Sequence, residues 1–316
     1  MTAALRPIDR AEITILVDNY TDFLLTENNR MVQRPVIPFE NVLLAEHGLS
    51  FLIRIFSGTE SHTILMDAGN SGTTLFHNAR ELHLNLDDIE EIIISHGHFD
   101  HFGSLVPLLR SLSCRTPVHL HPRAFSERRK KMPNSSSRNF PILDKDILTH
   151  AGAVLNFSTD PSLLANRYML ITGEIERTTS FEQGSPVLEA FDQGDWIADP
   201  FWDDQSLVLN LASHGLVVIS GCAHAGIINS VRYAQKITGI NQVHAVIGGF
   251  HLSGQNFEQV ISPTISALHE IAPEWVIPMH CTGWCAINEM NKVLPGKVLI
   301  NTVGTRYCLE SEMKIS

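Results

Sequence analysis

The sequence has no G-x-S-x-G elbow and no G-x-x-x-x-G-K-[ST] or G-x-G-x-x-G loop. A serine nucleophile on a strand-to-helix turn, and nucleotide binding by those two phosphate cradles, are therefore unsupported. Cysteine is scarce. The five residues (Cys114, Cys222, Cys281, Cys285 and Cys308) are odd in number and sit mostly in apolar segments. That excludes a disulfide framework and suits a reducing compartment. Cys281 and Cys285 are four apart, the spacing of neither a redox pair nor a zinc ribbon. No apolar run is long enough to span a bilayer, and Met1 to Arg10 carries no apolar stretch of the signal-peptide kind. These absences lead us to expect a cytoplasmic protein with no membrane partner. Basic residues are outnumbered, 23 Lys+Arg against 34 Asp+Glu, for a formal charge of −11. An acidic chain gains nothing from a polyanion, so nucleic acid is not expected as a partner. The one dense basic run, Arg128-Arg129-Lys130-Lys131, reads as a solvated helix face.

Hydrophobic residues make up 44% of the 316, enough for a large core. Short β-branched or aromatic runs ending in Asn, Gly or Asp predict strands at Ile13–Val17, Leu49–Phe56 and Thr63–Asp67. Asn28–Pro38 reads as a loop. A helix is expected over about Gly72–Leu82, then a strand buried on both faces at Glu91–Ser95. Leu105, Leu108, Leu109 and Leu112 mark a second helix, and Pro117–His121 another strand. Further strands are expected near Arg167–Ile171 and at Val243–Ile247, Trp275–Pro278, Lys297–Val303 and Arg306–Leu309. Ser206–Ala212 and Leu216–Ser220 form a predicted hairpin, and helices are expected at Ile227–Ile237 and Val260–Ile271. Strands followed by helices in each half imply an α/β fold with two sheets face to face and helices outside. Residues from about 122 to 200 carry the basic run, three serines and several Pro and Gly breaks. They read as an insertion or cap of short helices and loops within one domain spanning 1–316.

The strongest chemical signal is His96-Gly97-His98-Phe99-Asp100-His101, behind the three-isoleucine run. In an extended turn, residues two apart face one side, so His96 and His98 can meet one ion. Asp100 and His101 can reach a second as the chain bends into a helix. Imidazoles with a hard carboxylate suit zinc, with iron or manganese as alternatives, at one ion or two. His224, His251 and His280 each follow an apolar strand and so stand at a sheet edge. Cys222 and Cys281 read as small buried packing residues.

The stretch resembles the H-x-H-x-D-H signature of the metallo-β-lactamase superfamily. Asp67 in Leu-Met-Asp-Ala-Gly, His224 in Gly-Cys-Ala-His-Ala-Gly and His280 in Pro-Met-His-Cys-Thr-Gly resemble its other motifs. The resemblance implies a four-layer αβ/βα sandwich. His96, His98 and His224 would hold a first metal, and Asp100, His101 and His280 a second. Asp67 would orient the metal loop. Most of these hydrolases bridge the metals with an aspartate, and here the matching place holds His251, as a ligand or a substrate contact. Several phrases, among them Val17-Asp18-Asn19, Glu46-His47-Gly48-Leu49-Ser50 and Gly248-Gly249-Phe250-His251-Leu252, resemble a subgroup. Its members are named metal-dependent hydrolases or dihydropterin-ribofuranosylaminobenzene-phosphate synthase-like proteins.

Two metals would acidify a water and polarise a carbonyl or phosphoryl oxygen, which predicts hydrolysis of an ester, lactone or phosphoester. Asp100 would orient the nucleophile, and His251 or His47 would donate to the oxyanion or leaving group. Asn19 and His47 are expected to line the substrate cleft, with turn and capping chemistry as the alternative. Arg177 is a candidate contact for an anionic small molecule, against a surface ion pair with Glu174. The subgroup name leaves open a transferase using phosphoribosyl diphosphate, and the fold leaves open a non-catalytic metal-containing sensor.

Overall fold

The computed structural model describes residues 3–38 and 41–311. Period-two alternation in runs with no polar face sets the architecture. In the strand Arg10–Val17, Ile13 and Ile15 face one way and Leu16 the other. In Ser50–Ser57, Phe51, Ile53 and Ile55 oppose Leu52. A strand apolar on both faces must be covered on both. The molecule accordingly stacks helices, sheet, sheet and helices, the α/β four-layer sandwich of the metallo-β-lactamase fold.

The first sheet has eight strands, ordered Ala153–Phe157, Thr116–Leu120, Glu91–Ile93, Glu60–Met66, Ser50–Ser57, Arg10–Val17, Arg306–Glu310 and Val32–Gln33. The second runs Ser162–Leu164, Met169–Ile171, Ser206–Leu211, Gly215–Ser220, Val243–Gly249 and Trp275–Met279, with Pro7–Ile8 added beside Ser206–Leu211. Between them lies the central core, in which Ile53, Met66 and Ile93 meet Leu209, Ile219, Ile247 and Ile277. Helices Thr74–Glu81, Leu105–Ser111 and Lys145–Ala151 cover the first sheet. Helices Ile227–Thr238, Glu258–Ile271 and Trp284–Val293 cover the second. The neighbours Glu60–Met66 and Glu91–Ile93 are parallel, as are Gly215–Ser220, Val243–Gly249 and Trp275–Met279. All five deliver their C-terminal ends to one edge of the sandwich.

Three expectations are corrected. The basic run is a strand, Arg128–Lys131, paired on both sides in a third, four-stranded sheet with Ser137–Asn139, Leu188–Asp192 and Asp195–Ala198. Arg128 within it is buried, because Asp199 and Asp203 neutralise it. The segment from 122 to 200 carries seven short strands among its loops and short helices, where one was expected. Ala153–Phe157 extends the first sheet, and Ser162–Leu164 with Met169–Ile171 extends the second. Lys297–Val303 forms no strand beyond one bridge, Val276 to Val298. Its polar groups are claimed elsewhere: Asn301 donates to Asp18 at 2.7 Å, and the Ile300 carbonyl accepts from Arg34. The Asn28–Pro38 loop holds a two-residue strand, Val32–Gln33.

Candidate metal centre

Four of the five strands that end at the site are followed by a left-handed residue. Asp67, Ala223, His251 and His280 all have positive φ, between 47° and 61°. Non-glycine residues adopt that conformation at a cost, and a cluster of them at one edge marks a place where side-chain direction is imposed by the surroundings.

Asp67 follows Glu60–Met66 and is fully buried. One carboxylate oxygen accepts from the Ser95 amide at 2.7 Å. The other accepts from the Ser95 hydroxyl at 2.7 Å and from His101 Nδ1 at 2.6 Å. The single Ser95 proton is thereby committed, so its oxygen can only accept from His96 Nδ1, 2.9 Å away. His96 is held as its Nδ1–H tautomer with the Nε2 lone pair turned inward, and His101, with Nδ1–H fixed on Asp67, likewise faces Nε2 inward. Asn19 does the same for His280: its carbonyl oxygen accepts from Nδ1 at 3.0 Å, while its amide donates to the His280 carbonyl. Asp18 anchors the His280 backbone amide at 2.9 Å.

His98 Nδ1 and His224 Nε2 lie 3.2 Å apart. Phe201 stacks flat on His224, ring centroids 4.1 Å apart, and fixes its plane. His251 packs against His224 at 4.1 Å and edge-on to Phe257. Asp100 Oδ2 is 3.4 Å from His280 Nε2, 3.8 Å from His101 Nε2 and 3.2 Å from Nε2 of the exposed His47.

This donor set fits divalent cations. His96 Nε2 and His280 Nε2 are buried with no hydrogen-bond partner, while His98 and His224 turn Nδ1 and Nε2 toward each other and leave their opposite ring nitrogens, with His251 Nδ1, unpaired. Native interiors rarely tolerate such a concentration of orphaned polar atoms. A tetrahedral ion with bonds of about 2.0–2.1 Å sets its ligand atoms roughly 3.3 Å apart. The spacings of 3.2, 3.4 and 3.8 Å lie around that value. Ligand atoms of His96, His98 and His224 fall within 4.8 Å of one another, and so do those of His47, Asp100 and His280.

Electrostatics divide the site. Burial holds His96, His98 and His224 well below the ordinary histidine range, so their nitrogens are free as donors to metal. Burial also works against a charge on His101, but the carboxylates of Asp67 and Asp100 outweigh it and raise that group to about 9. Burial would push Asp100 up as well. The charge of His101 and hydrogen bonds from His280 and His47 hold it well below 3.8 instead. One half of the centre offers neutral nitrogens and the other calls for positive charge.

The centre forms the floor of an open cleft of about 1460 Å³. Residues 44–196 match the family profile described as the metallo-beta-lactamase superfamily. A curated protein of Methanocaldococcus jannaschii is 32% identical over 280 residues, 86% of this chain and 90% of that protein. This chain belongs to the metallo-β-lactamase superfamily. The archaeal relative is named 7,8-dihydropterin-6-methyl-4-(beta-D-ribofuranosyl)-aminobenzene-5'-phosphate synthase. A second, uncharacterised protein of the same archaeon is 28% identical over 251 residues, 79% of this chain and 89% of that one. A crystal structure described as a metal-dependent hydrolase of the β-lactamase superfamily shares the fold at a TM-score of 0.73 and 24% identity, covering 96% of this chain and 99% of that one.

In this member of the superfamily, His96, His98, Asp100, His101, His224, His251 and His280 converge, with Asp67 directly behind them. His47 stands at the cleft rim. Asn19 lines the cleft but spends its amide on His280. Arg177 does not line it: its guanidinium donates to the Pro200 carbonyl at 2.6 Å. Three contributors escaped the sequence reading. Ser95 relays Asp67 to His96, and only its place beside the first histidine hints at that role. Asp203 accepts from the Gly97 amide at 2.7 Å and from Arg128 at 2.6 Å. That bond pins the turn between the two histidines across 106 residues of sequence, and no spacing announces it. Cys222 is buried with its sulfur 3.2 Å from His101 Nε2, inside the constellation and not merely beside it.

Proposed function

We propose that the protein is a metal-dependent hydrolase of a small anionic substrate, cleaving an ester, lactone or phosphoester, with a phosphoester best supported. The observation that carries this reading is the position of the ligand cluster at the floor of a cleft whose rim is cationic. Lys130 and Arg138 are direct cross-strand neighbours in the third sheet, and both line the cleft. Neither has an ion-pair partner among the described residues. Like charges placed opposite each other destabilise a sheet, so an anion between them would relieve that cost. Phe99, Met132, Phe140 and Phe257 give the same cleft apolar surface. Its volume exceeds that of a typical small-molecule pocket, which suits a phosphate carried on a larger apolar or aromatic body.

His96, His98 and His224 would hold one cation, and Asp100, His101 and His280 a second. Zinc suits the donors best, with manganese or iron as alternatives. Cations there supply Lewis acidity and a water acidic enough to ionise near neutral pH. The chain's own groups do the rest. Asp100, held ionised, accepts from and so orients a nucleophile. His47 has its pKa raised by the hydrogen bond to Asp100, and at the cleft mouth it can pass a proton to a leaving group. His251 turns its ring into the cleft to contact substrate beside His224. The five unpaired cysteines support a reducing, cytoplasmic setting. Among the described residues no helix is long and apolar enough to cross a membrane.

A second reading has a specific observation behind it. The curated relative at 32% identity is named a synthase, and a cationic rim would equally receive phosphoribosyl diphosphate. One set of assays separates the two. Metal content is measured. Turnover of a p-nitrophenyl phosphodiester, a phosphomonoester and a lactone is followed with and without chelator, alongside diphosphate release from phosphoribosyl diphosphate. We expect phosphoester turnover that chelation abolishes and zinc restores. Diphosphate release without hydrolysis would establish the synthase instead. Protein free of stoichiometric metal would sink both.

A further inference from the structure

We propose that the Cys222 thiolate is a metal ligand placed between the two halves of the centre. This rests on the metal-dependent reading above and goes beyond its six-residue ligand set. The backbone brings the sulfur there. Cys222 follows the strand Gly215–Ser220 by way of Gly221, which passes so close to the first sheet that a Cβ on it would lie 2.1 Å from the Ser95 hydroxyl. Only glycine allows that approach, and the next residue is thereby delivered into the cluster. The Cys222 side chain is buried, with Sγ 3.2 Å from His101 Nε2.

Cys222 belongs to three separate groups of ligand atoms lying within 4.8 Å of one another: with His96 and His101, with His224 and His251, and with His280 and Cys281. Those groups draw on both halves of the centre, since His96 and His224 belong to one and His101 and His280 to the other. The direction of the neighbouring nitrogens agrees. His101 has committed Nδ1–H to Asp67, so Nε2 is the ring nitrogen that faces the sulfur. His96 Nε2 and His280 Nε2 are orphaned, and both residues share ligand groups with the same sulfur. Several lone pairs and one thiol converging on a buried point are best satisfied by a cation. On coordination the thiol releases its proton to solvent and becomes a thiolate. A thiolate donor in turn favours zinc or iron over manganese.

X-ray absorption at the zinc edge tests this without any assay of activity. Sulfur sits about 2.3 Å from zinc and nitrogen or oxygen about 2.0–2.1 Å, so the two shells resolve. We expect a sulfur shell in the metal-loaded wild-type protein, retained in Cys281→Ser and lost in Cys222→Ser. Cobalt-substituted protein should show a sulfur-to-cobalt charge-transfer band with the same dependence on the two variants. The Cys281→Ser variant keeps the assignment testable even if Cys222→Ser does not fold. Stoichiometric metal with only nitrogen and oxygen neighbours overturns the inference and leaves the hydrolase reading standing. A sulfur shell that vanishes in Cys281→Ser overturns it in favour of the neighbouring cysteine. No bound metal overturns both readings.

Discussion

Arg128, Asp199 and Asp203 illustrate how a single buried charge can hold a metal loop in shape. Arg128 donates from Nε to Asp199 at 2.7 Å and from a terminal nitrogen to Asp203 at 2.6 Å, with all three side chains nearly inaccessible. Asp203 in turn holds the amide of Gly97, where a Cβ would meet the Ala124 carbonyl at 2.0 Å. Removing the cation strands two carboxylates in the interior. Arg128→Met is therefore expected to lower unfolding free energy by about 3–5 kcal/mol in denaturant titration. A loss under about 1 kcal/mol would mean that the carboxylates are protonated or reached by water. His121 supplies the pH dependence. Its Nδ1 accepts from the Arg123 amide at 3.1 Å, and burial lowers its pKa to about 4. Between pH 6.5 and about 4 the unfolded chain binds a proton there that the folded chain does not. This contribution is whole above pH 6.5 and drains away as pH falls toward 4. His121→Asn keeps a neutral capping acceptor. It should lose roughly 2 kcal/mol less than wild type between pH 7 and 4.5, and parallel losses in the two proteins would contradict the assignment.

At the scale of elements, the third sheet stands apart from the sandwich yet supplies the cationic rim. Arg129 and Lys131 are both tied to Glu189, at 2.7 and 2.6 Å, whereas Lys130 and Arg138 face each other across the Arg128–Lys131 and Ser137–Asn139 strands. Both are exposed, so reversing them leaves the core untouched. Lys130→Glu with Arg138→Glu is expected to raise KM for a phosphate-bearing substrate at least tenfold, with little change in kcat for a neutral ester and less than about 0.5 kcal/mol change in stability. Equal losses on charged and neutral substrates would remove these residues from substrate binding. The element reading from sequence succeeded where runs were apolar on both faces, as at Glu91–Ile93 and Gly215–Ser220, because burial leaves no other use for them. It failed at Arg128–Lys131, where charge suggested solvent and strand pairing with a buried ion cluster decided otherwise. It also failed at Lys297–Val303, where Arg34 takes the Ile300 carbonyl and the Tyr20 carbonyl takes the Val303 amide that a strand would have paired.

Taken whole, the molecule places its candidate ligands on two sheets. His96, His98, Asp100 and His101 follow a strand of the first, and His224 and His280 follow strands of the second. Cations held there would tie the layers together at their open edge. Chelation is expected to lower the thermal midpoint by roughly 6 °C, corresponding to about 4 kcal/mol for a cation present at a thousand times its Kd. Scanning calorimetry before and after dialysis against a chelator measures this. An unchanged midpoint in protein shown to have lost its metal would mean that the edge is rigid without it.

The sequence by itself determined the α/β class, the two buried sheets and the local clustering of His96, His98, Asp100 and His101, because periodicity and close spacing are properties of adjacent residues. His224 and His280 were recognised only through the resemblance, since nothing near either one in the chain implies a partner. The tertiary structure alone decided that Asn19 orients His280, that Arg177 is spent on the Pro200 carbonyl outside the cleft lining, that Asp203 clamps Gly97, and that Cys222 lies within the cluster. Each of these is a contact across a long stretch of chain, made when two sheets close on each other, and a one-dimensional pattern carries no record of which residues that closure will join.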